Sequence, residues 1–180
     1  MDKKITFAGF LRGINVGGHH KVPMEELRKK LSEIGCENVR TLLNSGNFVF
    51  ETDQADIQNW QAKIESSLSQ SFGFAIPLIL RTKNEISDLI RQQPFHKIDF
   101  HKDIRLYVTF LKNEPEINLT LPYFSQDNSF QIISISDRIL CSVLDLSVTK
   151  TTKGMDELEK LFGKNITTRN WNTILKIVDV

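Results

Sequence analysis

The sequence predicts an α+β fold made of two successive ferredoxin-like (split βαβ) units, each an antiparallel sheet with helices packed on one face. Residues 1–81 show the predicted order β-α-β-β-α-β. Residues 82–180 show a similar but degraded order that ends in a helix. The chain has 180 residues, of which 40% are hydrophobic and 25% charged, and this is enough to bury a sizeable core.

The first unit begins with a predicted strand at residues 5–11, which is a short apolar run rich in β-formers. A helix follows Pro23, because proline suits the first helical position and two glutamates occupy the first turn. Gly35 ends this helix. Its apolar residues recur at helical spacing: Met24, Leu27, Leu31 and Ile34.

A hairpin follows, with strands at residues 39–43 and 48–50 joined by a tight turn. Asp53 is the predicted cap of a second helix that stops at Gly73. Residues 74–80 form the last strand of the unit. This strand and the first are apolar at nearly every position, so we expect both faces of the sheet to be buried.

The second unit opens with Thr82 and Glu85, which form a predicted capping box before a short helix ended by Pro94. An irregular polar stretch occupies residues 113–128. The predicted strands are residues 104–111, 130–136 and 139–146, the last two forming a hairpin around Asp137 and Arg138.

Two helices and a short strand complete the second unit. Thr152 is the predicted cap of a helix that stops at Gly163, and a short strand follows at residues 165–167. Thr168 is the predicted cap of the last helix. One face of that helix carries Trp171, Ile174, Leu175 and Val178.

Composition narrows the class of protein. We expect neither a signal peptide nor a membrane span, because the first apolar run is interrupted after about seven residues and a span needs about 18. Cys36 and Cys141 lie far apart without metal-ligand spacing, which indicates a reducing, cytoplasmic setting with no metal and no cofactor. The oligomeric state stays open.

Charge is distributed unevenly along the chain. The net charge is +1, but residues 1–40 and 150–176 carry +3 each, whereas residues 41–149 carry −4 and Asp179 supplies the remaining −1. This asymmetry favours an anionic partner near the ends, either a small molecule or a nucleic acid. A solvated basic face is the ordinary alternative.

The first candidate site is the glycine loop, residues 12–18. Its glycines allow positive φ and a close backbone approach, and amides in such a turn near a helix start can bind phosphate or carboxylate. The loop matches neither nucleotide-binding glycine motif, so a purely structural turn is the alternative. The candidate ligands here are Arg12, Asn15, Gly17, Gly18 and Lys21.

The second candidate site is Thr168, Arg169 and Asn170, at the predicted start of the last helix. A cation is unfavourable in a first turn, because the helix dipole favours anions there. Such a position is tolerable where Arg169 meets a carboxylate or a bound anion. We therefore predict that these residues share a ligand with Arg12, whereas Trp171 belongs to the core by its spacing.

The third candidate site is the SGN turn, Ser45-Gly46-Asn47, where Ser45 and Asn47 are candidate ligands. Phe48 and Phe50 share one face of the following strand, a loose echo of the stacking aromatics in RNA-recognition modules. We favour core packing for both, because the second half of the chain should cover that face.

Catalytic residues are not identified. His19 and His20 could serve as acid or base in an enzyme that acts on a small molecule, which is the second functional hypothesis. The third hypothesis is a scaffold, in which the motifs serve only to hold two half-domains together. The four histidines lack metal-ligand spacing.

The motifs together resemble a bacterial family. The sequences LRGINVGG and KVPM, the SGN turn and TRNW near the C-terminus are similar to domain of unknown function 1697. This resemblance covers nearly the full length, and it implies a tandem ferredoxin-like α+β architecture in a cytosolic protein, without an activity. We therefore expect a protein that binds an anionic, phosphate-bearing ligand through the glycine loop and the C-terminal Arg-Asn.

Overall fold

The computed structural model describes residues 4–180, which contain nine strands and five helices. The chain divides into two compact units, residues 1–88 with 176–180 and residues 89–175. The α+β class with two antiparallel sheets is confirmed. The ferredoxin-like designation of the units stays a prediction.

The first unit follows the predicted order β-α-β-β-α-β, and its sheet has the order β2-β3-β1-β4. Helix α3 begins at the end of the last strand. The elements are β1 (Ile5–Leu11), α1 (Met24–Glu33), β2 (Glu37–Leu42), β3 (Asn47–Thr52), α2 (Ile57–Phe72), β4 (Leu78–Thr82) and α3 (Lys83–Arg91).

The helices and the sheet of the first unit enclose a core that includes Leu27 of α1 and Trp60 of α2. Phe48 and Phe50 belong to this core, as predicted. However, α1 and α2 cover their sheet face, and not the second half of the chain as expected. Their side chains lie on the sheet face that the helices cover, and the Phe50 ring is 5.3 Å from that of Trp60. The opposite sheet face is buried too, since Phe10 is fully inaccessible.

Local capping in the first unit corrects one prediction and confirms another. Asp56 rather than Asp53 caps α2, because its carboxylate accepts the backbone N–H of Asn59 at 3.0 Å. The capping box of α3 is formed as predicted. Glu85 accepts the Thr82 backbone N–H at 2.7 Å, and the Thr82 hydroxyl accepts the Glu85 N–H at 3.2 Å.

Strand β2 lies at one edge of the first sheet. Its pairing with β3 is interrupted by a bulge between Glu37 and Arg40, where Asn38 has a φ of +48°. The inserted residue bends the strand and leaves part of its ladder unpaired.

The second unit contains a five-stranded sheet with the order β6-β7-β8-β5-β9. Helix α4 contributes Leu158 to a core with Phe130, Leu140 and Leu144. The elements are β5 (Ile104–Leu111), β6 (Tyr123–Phe124), β7 (Phe130–Ser136), β8 (Ile139–Asp145), α4 (Thr151–Phe162), β9 (Ile166–Asn170) and α5 (Trp171–Ile177).

Two predicted helix starts in the second unit are wrong. Thr152 lies inside α4, which begins at Thr151 after Lys150. Thr168 lies in β9, where the predicted short strand extends to Asn170 and pairs with β5. The buried face of α5 matches the prediction only in part. Ile174 is inaccessible as predicted, but Ile177 is inaccessible too, whereas Trp171 is half-buried and Leu175 is 37% exposed.

Candidate functional site

The glycine loop is the tip of a small hairpin. The backbone N–H of Asn15 donates to the His20 carbonyl at 3.1 Å, and that of His19 donates to the Val16 carbonyl at 3.1 Å. Gly17 and Gly18 occupy the two central positions with φ of +58° and +80°. Positive φ at both central residues defines a type I′ turn, which glycine adopts without steric cost.

Asn15 holds this hairpin in place. Its amide nitrogen donates to the carbonyls of Val22, at 3.0 Å, and Asn44, at 2.8 Å. Its amide oxygen accepts the Val22 N–H at 2.8 Å. The side chain therefore links the two ends of the hairpin to each other and to Asn44, which precedes the SGN turn. Its amide nitrogen and its amide oxygen both form hydrogen bonds within the protein.

The glycine loop and the SGN turn lie side by side. The Leu11 N–H donates to the Gly46 carbonyl at 2.9 Å, and the Arg12 N–H donates to the Pro77 carbonyl at 2.9 Å. Gly46 has a φ of +77°, and a Cβ atom there would lie only 2.7 Å from Ile14 Cδ1. This contact leaves no room for a side chain at Gly46.

Asn47 is a buried hydrogen-bonding residue of the SGN turn. It is fully inaccessible, and its amide donates to the Leu42 carbonyl at 3.0 Å and to Ser45 Oγ at 2.9 Å. Seven of the predicted site residues thus come together at one end of the first unit. They are Arg12, Asn15, Gly17, Gly18, Lys21, Ser45 and Asn47.

The exposed groups at this end of the unit are mainly basic or apolar. His19 and Lys21 are exposed and Arg12 is half-buried. His20 stacks on Phe74 with ring centroids 4.3 Å apart, and its Nδ1 lies 3.2 Å from the Gly13 carbonyl. The three segments that meet here, residues 12–22, 43–47 and 74–78, contain no aspartate or glutamate.

The C-terminal motif lies in the second unit, on β9 rather than in a helix. The Thr168 hydroxyl is 2.8 Å from that of Thr109 on β5. Arg169 donates to Thr167 Oγ1 at 2.8 Å and to the Thr168 carbonyl at 2.9 Å. Burial lowers the pKa of Arg169 to about 10, so the guanidinium stays charged at neutral pH.

Asn170 caps α5, since its side-chain oxygen accepts the backbone N–H of Asn172 at 3.0 Å. Arg169 precedes the helix, so the prediction that its charge lies in the first helical turn is wrong and the helix dipole does not disfavour it there. Arg12 and Arg169 belong to different units. A ligand shared by the two stays a prediction.

Sequence reasoning missed two partners of the glycine loop. Phe74 stacks on His20, and Pro77 accepts the Arg12 N–H. Both lie more than 50 residues from the loop along the chain, and no local pattern signals such a pairing. The pairing of β1 with β4, once foreseen, would have directed attention to this segment.

Within residues 4–180, no group of three or more His, Cys, Asp and Glu side chains is placed to hold a metal ion. None of the helices described there combines the length and the apolar character that a membrane crossing requires.

Comparison with known proteins identifies a family and a fold. A family model described as "Protein of unknown function (DUF1697)" matches residues 5–139. The structure of the conserved bacterial protein SP0830 from Streptococcus pneumoniae is similar, with a TM-score of 0.77 and 24% identity over 98% of each chain. No curated protein matches significantly. Since the family model spans most of the sequence, this chain belongs to the DUF1697 family.

Proposed function

We propose that this chain is a cytoplasmic protein that binds a phosphate-bearing ligand, nucleic acid included, at the glycine loop. The observation that carries the proposal is the preformed type I′ turn at Gly17 and Gly18, with the exposed Lys21 at the base of the same hairpin. Cys36 and Cys141 are buried free thiols, which is consistent with a reducing compartment.

The turn supports anion binding through its backbone. In a type I′ turn the internal hydrogen bond uses the N–H of the fourth residue, here His19, and not those of the two central residues. Gly17 and Gly18 are exposed and have no side chains, so a phosphate oxygen can approach their amides closely. The hydrogen bonds of Asn15 hold this geometry before any ligand arrives, which reduces the entropy cost of binding.

Electrostatics supports the same conclusion. Lys21 is exposed at the base of the hairpin, and Arg12 begins the glycine loop. The three meeting segments themselves contain no aspartate or glutamate, and the Glu65 carboxylate of α2 accepts the Leu78 N–H at 2.9 Å. Such a surface attracts phosphate groups and binds them less strongly as salt increases.

The test is fluorescence polarisation of labelled single-stranded RNA and duplex DNA, with unlabelled pyrophosphate as competitor, at low and moderate salt. We expect saturable binding that weakens with salt. Lys21→Ala and Arg12→Ala should each weaken it and reduce the slope of log affinity against log salt by about one.

Lys29→Ala is the matched control, because Lys29 is an exposed lysine on α1 outside the three segments. This variant should bind as the wild type does. The proposal fails if neither nucleic acid nor pyrophosphate binds at low salt. Equal weakening by Lys29→Ala and Lys21→Ala would also overturn it, since attraction would then depend on total charge rather than on the loop.

A further inference from the structure

A concave site lies wholly within the second unit. A cavity of about 380 Å³ opens between the start of β5 and the start of α5. Its volume falls within the range of small-molecule pockets. The side chains that matter for its chemistry are Phe100, Arg105, Asn170, Trp171 and Asn172.

Two aromatic rings line the cavity. Phe100 is 65% exposed, so its ring is accessible to a ligand in the cavity. Trp171 is half-buried and meets Phe95 in a T-shaped contact, with ring centroids 5.1 Å apart and an interplanar angle of 68°. A T-shaped contact occupies at most one face of the indole, so it is compatible with a planar ligand on the other.

A positioned cation lies in the same cavity. One terminal nitrogen of Arg105 donates to the carbonyls of Lys102, at 2.7 Å, and Ile104, at 3.0 Å. Because a guanidinium has five N–H donors, these two bonds orient the group without using its whole donor capacity. Residues 97–105 carry three cationic side chains and two carboxylates, so the segment is positive overall.

Two amides complete the lining. The Asn170 oxygen accepts the backbone N–H of Asn172, which fixes the Asn170 side chain at the start of α5. Asn172 is exposed beside it. Side-chain amides provide both donors and acceptors, which suits the edge of a nitrogen heterocycle.

From this combination we infer that the cavity binds a planar heteroaromatic ring that carries an anionic group, as a mononucleotide does. The ring stacks against Phe100 and Trp171, and Arg105 binds the phosphate. This site is separate from the glycine loop in the first unit, and it goes beyond the function proposed above.

The test is isothermal titration calorimetry of the full chain with adenosine 5′-monophosphate, adenosine and inorganic phosphate as probes. We expect the monophosphate to bind more tightly than either part alone. Phe100→Ala should weaken its binding about 10-fold, a typical loss for one base-stacking contact. Arg105→Ala should reduce monophosphate affinity to that of adenosine and leave adenosine binding unchanged.

Phe124→Ala is the matched control, because Phe124 is another exposed phenylalanine of the second unit, on β6 and outside the cavity. Its affinity should equal that of the wild type. The inference is overturned if the monophosphate does not bind at millimolar concentration, or if Phe124→Ala weakens binding as much as Phe100→Ala. Lys21→Ala distinguishes the two sites. Monophosphate binding at the cavity should be unchanged in this variant, and its loss would assign the binding to the glycine loop and overturn the inference.

Discussion

Substituting Gly46 by alanine tests whether the close packing of the SGN turn against the glycine loop stabilises the first unit. Two costs arise at this position. The φ of +77° is left-handed, which costs an L-residue about 1–2 kcal/mol. The added Cβ would also lie 2.8 Å from Leu11 Cβ and 2.7 Å from Ile14 Cδ1. Overpacking of this kind costs about 1–3 kcal/mol.

Alanine also restricts the unfolded chain, which offsets these costs by about 0.4–1 kcal/mol. We therefore expect Gly46→Ala to lower the free energy of unfolding by about 1–4.5 kcal/mol. For a protein of this size, each kcal/mol lowers Tm by about 2–4 °C, so the expected loss in Tm is about 2–18 °C. The assay is urea unfolding followed by Trp60 fluorescence in a Trp171→Phe background, because Trp60 lies in the core of the first unit.

Gly73→Ala supplies the control that separates the two costs. Gly73 ends α2 with a φ of +79°, but no atom lies within 4 Å of the position a Cβ would take. Its substitution should cost only the backbone term, about 1 kcal/mol. If the two variants differ by less than about 0.5 kcal/mol, the argument for close packing at Gly46 is refuted.

Two further predictions concern the hairpin and the thiols. Asn15→Ala should reduce hydrogen-exchange protection of the Val22 amide about ten-fold or more, whereas the Gly73 amide, which donates to the Ser69 carbonyl, should keep its protection; equal loss at both amides would contradict this role. Burial raises the pKa of Cys36 from 9.0 to about 12 and that of Cys141 to about 11, so native protein at about pH 8 should resist iodoacetamide until unfolded. Because the native pKa values are raised, the stabilisation from both thiols is complete below pH 9 and is lost as the pH rises towards 11–12. Urea unfolding at a series of pH values should therefore show the free energy of unfolding falling above pH 9.

Elements with a clear local pattern were predicted well. Strand β5 spans Ile104–Leu111 as expected, because it is an uninterrupted run of β-formers between polar segments. The hairpin at Asp137 and Arg138 was equally visible, and both residues have positive φ. Gly73 and Gly163 end their helices as predicted, since a glycine after a periodic segment is a reliable stop.

The errors arise where long-range pairing overrides local preference. Thr168 and Arg169 suit a helix start by sequence, but they pair with Thr109 and Val108 of β5. That register is set by the tertiary structure and cannot be read from a polar pentapeptide. Strand β6 has only two residues, which is too short to produce any periodicity.

The turn in the glycine loop was predicted, but the hydrogen bonds that hold it were not, and its role as a binding site stays a prediction. Glycines in sequence indicate a turn, and this turn exists. The sequence could not show that the Asn15 amide nitrogen and oxygen both form hydrogen bonds to the Val22 backbone, or that Asn47 is buried. The surroundings of a polar side chain depend on residues far away in the chain. His20, for example, stacks on Phe74.

The bulge in β2 has a consequence for solubility at high concentration. An edge strand offers unpaired amides and carbonyls to which a strand of another molecule can add, and continued addition leads to aggregation. In β2 the inserted Asn38 breaks the regular spacing of these groups, and Glu37 and Arg40 place charges beside it. The bulge therefore disfavours in-register addition of a second chain, and we expect deletion of Asn38 to favour intermolecular β-pairing.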